Sequence, residues 1–262
     1  MWKSAIAIVV VIAAIVGVRY IVSEAENPSA LWTIVQSCVA FQQQGHAPPG
    51  PCTYVDLNDE VAVLKSFEGR WQFLAVPTVR VTGIEDPQVL MPRLPNYWAL
   101  AWIAAQRVLP AAVTANRNDV GLAINSVEGR SQNQLHIHIS CVQPSVMHEL
   151  NAMQNQIGTS WSKPLPLGEH AYSAMRVEAA TLENVDPFFL LLKLKDARQH
   201  MGEQTLVVVG ATWDGGKKRG FYILDDYTHE TSDGPDLGHG EGLLDEDCGA
   251  ALSAHTHAPS NG

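Results

Sequence analysis

Positive charge is scarce in this chain. Lys and Arg total 17 against 27 Asp and Glu, a formal net charge of −10 over 262 residues. That balance excludes nucleic acid as a partner. It also excludes broad electrostatic adsorption to an anionic bilayer, so membrane contact must be hydrophobic. Cysteine is nearly as rare, with four residues and no Cys-x-x-Cys pair. Apolar residues, at 46%, are ample for a core, and the length suits one large domain or two small ones.

The one long uncharged run is at the N-terminus. Residues 4–18 carry no charge and are dominated by Ala, Ile and Val; Tyr20-Ile21-Val22 extends the run past Arg19. As a helix rising about 1.5 Å per residue it spans a bilayer core. Lys3 before it favours a cytoplasmic N-terminus, and Arg19 can snorkel. Ser23-Glu24-Ala25 is a passable signal-peptidase site, but the run is long for a signal peptide and an uncleaved anchor is expected over residues 1–26. Either way the bulk of the chain is exported; the family resemblance given below implies the periplasmic side of a bacterial inner membrane.

An oxidising compartment favours disulfides, and four cysteines allow three pairings. Cys38 and Cys52 flank a loop rich in Gln, Gly and Pro and read as a local staple; Cys141 and Cys248 are left as a long-range link that ties the C-terminal segment to the strand before Cys141.

That strand carries the candidate chemistry. From Gln134 to Ser140 polar and apolar residues alternate, the period of a half-buried strand. Gln134, His136 and His138 share one face, and Leu135, Ile137 and Ile139 share the other. A lone histidine there would be surface decoration. Two imidazoles and an amide in strict alternation, led by the loop residues Gly129, Arg130 and Ser131, suggest a site. Metal binding needs a third ligand, and no Asp, Glu or Cys stands at close spacing. An imidazole nucleophile acting on phosphorus is the remaining reading.

Around this strand, residues 27–43 read as a helix capped near Ser29, and residues 53–57, 61–67 and 71–76 as strands. Residues 78–95 form a long connector expected to face substrate. Residues 96–109 form a helix whose Trp98 and Trp102 belong to a core stripe, and residues 120–125 a strand. The order then recurs, with strands at 172–179, 206–212 and 220–224 and a helix at 188–200. This is read as a degenerate internal repeat, with catalytic half about 53–144 and second half about 165–225 inside a domain of residues 27–225. In the second half Phe221-Tyr222-Ile223 replaces the histidines. Lys217, Lys218 and Arg219 are the densest basic cluster and a candidate anion site. Residues 226–262, including His255-Thr256-His257, are expected as a flexible tail.

The segment Gln134-Leu135-His136-Ile137-His138-Ile139-Ser140 resembles the motif of the histidine-triad superfamily, with Gln134 in place of the first His, His136 at the nucleophilic position and His138 at the third. Ser131 resembles the hydroxyl residue preceding the triad, Asn125 the upstream Asn, and Trp71-Gln72-Phe73-Leu74-Ala75-Val76-Pro77 the strand ending in Pro. With its apolar N-terminus, the chain resembles a membrane-anchored branch of that superfamily. The resemblance implies an α+β fold built on an antiparallel sheet with packed helices, two such halves in one chain, and a monomer with an internal pseudo-dimer. It implies hydrolysis of the pyrophosphate of the liponucleotide CDP-diacylglycerol through a CMP–His136 adduct, without cofactor or metal, with His138 and Ser131 assisting. Gln134, Asn125, Arg130, Lys217, Lys218 and Arg219 are the candidate substrate-binding residues, with Arg80 a further source of positive charge. The rivals are another nucleotidyl hydrolase or transferase of the superfamily, and a non-catalytic exported carrier of metal or lipid.

Overall fold

The computed structural model of the chain describes residues 27–231 and 234–256. The expected anchor and His257 lie outside the described residues. Among the described residues no helix is long and apolar enough to cross a membrane.

The strands are β1 (Cys52–Asp56), β2 (Val61–Lys65), β3 (Phe73–Pro77), β4 (Val120–Ile124), β5 (Ile137–Val142), β6 (Leu165–Leu167), β7 (His170–Val177), β8 (Gln204–Trp213), β9 (Lys218–Tyr227), β10 (His229–Thr231), β11 (Gly234–Asp236) and β12 (Leu244–Asp245). Ten of them form one sheet in the order β1-β2-β3-β5-β4-β8-β9-β7-β6, with β12 added alongside β5; β10 and β11 pair separately. Every pairing is antiparallel. The fold is thus α+β on a large antiparallel sheet, as expected. The strand order is symmetric about the β4–β8 pair: β3-β5-β4 runs into β8-β9-β7.

The helices are α1 (Ala30–Gln43), α2 (Tyr97–Val108), α3 (Ala111–Thr114), α4 (Pro144–Ala152), α5 (Pro187–Leu191) and α6 (Gly249–Thr256). The start of α2 is set by Asn96, whose side chain accepts from Ala99 N at 3.1 Å. Its alanines let it lie close against the sheet, where Trp98 is fully buried and Trp102 meets Phe221 edge-on, with ring centroids 4.8 Å apart. The tryptophan stripe is core, as expected. Leu135, Ile137 and Ile139 join the same core. Helix α1 sets Leu31, Val35 and Cys38 against β1 and β2, where the Cys38–Cys52 disulfide closes. The Cys141–Cys248 disulfide also forms, and no described cysteine is free.

Three expectations are corrected. The C-terminal segment is not a flexible tail across its described part. It carries β10 and β11, a 3-10 turn over Gly240–Leu243, β12 paired to β5, and α6. Leu243 and Leu244 are buried, which holds the segment down. Gly240 lies so close to β8 that a Cβ would meet Thr205 Cγ2 at 2.7 Å. Second, the helix expected over 188–200 ends at Leu191, and the chain turns at Asp196, whose φ of 61° is left-handed. Third, β2 stops at Lys65, leaving Phe67 in a turn. The 78–95 connector is partly packed, with Val81 and Ile84 fully buried in the core, and its Gly83 and Ile84 also line a small pocket with Asn125, Arg130 and His136.

Candidate active site

His136 stands just before β5, and the strand's polar face is not open to water as its alternation suggested. Every residue from Ile137 to Val142 is buried, because the Gly240–Leu243 turn and β12 cover that face. His138 is 7% exposed. The two imidazole centroids are 5.0 Å apart, and the rings border a cavity of about 550 Å³.

The hydrogen bonds assign the ring protons. His136 Nδ1 is 2.7 Å from the Gln134 carbonyl oxygen. A carbonyl only accepts, so Nδ1 carries the hydrogen and Nε2 keeps its lone pair. Burial, and next the positive charge of His138, push the His136 pKa down to about 4. The ring is therefore neutral at physiological pH, the state a nucleophile needs.

His138 is held differently. Its Nδ1 lies 2.8 Å from Glu241 Oε2, and Gln72 Nε2 lies 3.1 Å from the same nitrogen. His138 Nε2 is buried and has no hydrogen-bond partner among the described residues. Glu241 is fixed from its other side by Asn125, whose Nδ2 donates to Oε1 at 2.7 Å and whose Oδ1 accepts from Glu241 N at 3.3 Å. Burial alone would raise the Glu241 pKa, but the hydrogen bond and charge of His138, aided by Asn125, bring it to about 2. Glu241 is therefore a permanent carboxylate.

The C-terminal segment reaches this position by running over the loop that follows β4. Ser126 N donates to Gly238 O at 3.0 Å, and Ser126 Oγ donates to Leu237 O. Gly129 faces the same crossing: a Cβ there would meet Gly238 O at 2.6 Å and Leu237 O at 2.7 Å, so only glycine fits.

The structure gathers some of the sequence candidates and separates others. His136, His138, Asn125, Arg130 and Ser131 all border the cavity. The Arg130 guanidinium, however, already makes a bidentate pair with Glu85, at 2.6 and 2.7 Å. Gln134 is not in the lining of the main cavity but borders a small pocket beside His136, Asn125 and Arg130. It is fully buried, and its Nε2 donates to Pro77 O and Val79 O at 3.0 and 2.9 Å, pinning the end of β3. Arg80 lies over the Trp32 ring, 5.4 Å from its centroid, outside the cavity lining.

Lys217, Lys218 and Arg219 are corrected: none borders the cavity. Leu206 pairs with Ile124 at the site end of the sheet, whereas Trp213, which pairs with Lys218, is at the far end of β8. At about 3.3 Å per residue the two ends are roughly 23 Å apart. Lys218 instead pairs with Glu178 at 3.3 Å.

Glu241 and Gln72 were missed. Gln72 had a signal, since it lies two residues before Leu74, the cross-strand partner of His138, and so on the same face. Glu241 had only the Cys248 link, which ties its segment to the histidine strand. Two carboxylate-bearing groups could hold a metal ion. Glu68, Glu241 and Glu246 converge at the cavity, and His170, Asp226 and Asp236 form a second group elsewhere. In the second, His170 Nδ1 meets Asp236 Oδ2 at 2.6 Å, and burial raises the Asp226 pKa to about 6 with the adjoining Asp236 carboxylate adding to it.

Comparison with known proteins bears directly on this arrangement. The family model described as CDP-diacylglycerol pyrophosphatase matches residues 26–252. A curated relative from Yersinia pestis, named CDP-diacylglycerol pyrophosphatase, is 39% identical over 187 residues, covering 70% of this chain and 72% of its own length.

Proposed function

The chain belongs to the CDP-diacylglycerol pyrophosphatase family, and from that premise we propose that His136 opens the pyrophosphate bond of CDP-diacylglycerol as a nucleophile, giving phosphatidate and CMP. The observation that carries the reading is the Nδ1–H of His136 held by the Gln134 carbonyl, with its pKa near 4, at the wall of the cavity.

In the first step the Nε2 lone pair attacks the cytidylyl phosphorus. The N–P bond forms, and the bond to the bridging oxygen breaks with its electrons going to phosphatidate. That group leaves as a phosphate and needs no strong acid. The Gln134 carbonyl faces the positive charge that the ring gains. In the second step water attacks the same phosphorus, the N–P bond breaks, and CMP departs. His138 Nε2 has no protein partner and its ring borders the cavity, so it serves the phosphoryl oxygens or takes the proton from water. Ser131 adds a hydroxyl on the loop side. No step uses a metal.

The setting follows from the same reading. Residues 4–22 anchor the chain in the bacterial inner membrane with the catalytic domain in the periplasm, where it acts in phospholipid metabolism. The strand order, symmetric about β4 and β8, supports two histidine-triad-like halves in one monomeric chain, with β9 in the place of β5.

The test is to trap the adduct. CDP-diacylglycerol labelled in its cytidylyl phosphate, quenched in alkali during turnover, should leave label on the protein that acid releases. His136→Ala should remove both label and activity. Undiminished turnover in that variant sinks the scheme.

A further inference from the structure

The cavity is divided by polarity. The histidines, Asn125, Glu241 and the 129–132 loop supply its polar lining, together with Lys65, Ser66 and Glu68; Ala30, Leu31 and Ile34 from α1 with Leu64 and Leu74 supply its apolar wall. Phe67 also borders the cavity, between Ser66 and Glu68, and is 99% exposed. An aromatic ring left wholly in water is an unfavourable use of apolar surface.

This exposure is built in. Lys65 Nζ, on the same turn, donates to the carbonyls of Ser66, Glu68 and Gly69 at 2.8, 3.1 and 2.6 Å. Ser66 N donates to Gln72 O at 3.0 Å across the base of the turn, and Arg70 N donates to Asp247 Oδ1 at 2.8 Å. The turn is therefore tied on three sides while its one apolar residue points outward.

The chain's own course brings a bilayer to this cavity. The N-terminal end of α1 is docked on the site loop: Asn133 N donates to Pro28 O at 2.6 Å, and Gln132 Oε1 accepts from Leu31 N at 2.9 Å. The apolar N-terminal run, broken only by Arg19, ends at Val22, five residues before Asn27. Even fully extended, that stretch reaches at most about 18 Å. A bilayer holding the run thus lies within that distance of the docked start of α1.

We propose that Phe67 inserts into the surface of the bilayer in which the chain is anchored, so that the apolar wall continues into the lipid and a diacylglycerol headgroup enters the cavity without its acyl chains passing through water. This rests on the functional reading above, and it adds the physical state of the substrate and the surface that meets it. The net negative charge of the chain leaves insertion of apolar side chains as the available mode of contact.

The experiment uses the full chain and two substrates. One is CDP-diacylglycerol with long acyl chains in phosphatidylcholine vesicles; the other is a short-chain, monomerically soluble CDP-diacylglycerol. Phe67→Ser should lower kcat/KM on the vesicle substrate at least tenfold and leave the soluble substrate within twofold, which also shows that the variant is folded. Phe67→Trp should restore the vesicle rate. Unchanged vesicle turnover in Phe67→Ser overturns the proposal, and so does an equal loss on both substrates. Hydrolysis of the soluble substrate by the wild type upholds the functional reading whichever way Phe67 behaves.

Discussion

Glu241 accepts a hydrogen bond from His138 Nδ1 at 2.8 Å, and Asn125 grips the same carboxylate from behind at 2.7 Å. A residue of the C-terminal segment thus orients an imidazole of the central strand. On the proposed mechanism the carboxylate fixes the proton on Nδ1 and leaves Nε2, which has no hydrogen-bond partner among the described residues, for the reaction.

Glu241→Gln keeps the shape but removes the charge. Its kcat should fall on the order of 10²-fold or more, as for loss of a general acid–base group. Asn125→Ala should lose less, since Gln72 still donates to Glu241 at 3.3 Å. Steady-state kinetics on the purified variants decide it, and wild-type rates in Glu241→Gln would remove the carboxylate from the mechanism.

The pH dependence of adduct formation follows from His136. Its pKa is lowered from the ordinary 6.5 to about 4, so the neutral nucleophile persists well into the acid range. Single-turnover labelling should hold down to a pH of about 5 and decline as pH approaches about 4. The linkage has the same sign: between 6.5 and about 4 the unfolded chain binds the proton and the folded one does not, so stability falls as pH falls through that window. A labelling limb centred at the ordinary imidazole value would contradict the buried, neutral ring.

The two disulfides should separate stability from catalysis. Replacing Cys38 and Cys52 by Ser opens a loop of 14 residues and should cost about 3 kcal/mol in the entropic model, with activity retained in the folded fraction. Replacing Cys141 and Cys248 opens one of 107 residues, worth about 4.7 kcal/mol in that model, and also loosens the segment bearing Glu241. That variant should lose kcat as well as Tm. Thermal melts with kinetics below each Tm distinguish the two.

The basic hairpin offers a control. Lys217→Ala and Lys218→Ala should leave KM and kcat unchanged, because both residues belong to the end of β8 and β9 remote from the cavity. A rise in KM would show that these charges reach the pyrophosphate.

On the proposed mechanism, in which His136 supplies the nucleophile and His138 the proton traffic, a chelator should not alter wild-type turnover. Activity lost to the chelator and regained with a divalent ion would instead place a cation on Glu68, Glu241 and Glu246, the carboxylates that converge at the cavity.

The local pattern of the chain by itself determined most strand and helix positions, the burial of Leu135, Ile137 and Ile139, the tryptophan core of α2 and both cysteine pairings, while the antiparallel sheet with packed helices came from the family resemblance. The pattern readings depend on the period of neighbouring residues, and the pairings on the Gln-, Gly- and Pro-rich loop that Cys38 and Cys52 flank, features a sequence displays directly. Only tertiary structure decided the partners. Gln134 shares its alternation with the two histidines, yet its amide is spent on the carbonyls of Pro77 and Val79. Arg130 is claimed by Glu85, and the basic hairpin is carried to the far end of the sheet. Glu241 sits in a Gly-rich acidic stretch with no periodicity of its own. It became part of the site because Leu243 and Leu244 needed a surface to bury against, and the open face of the histidine strand was that surface.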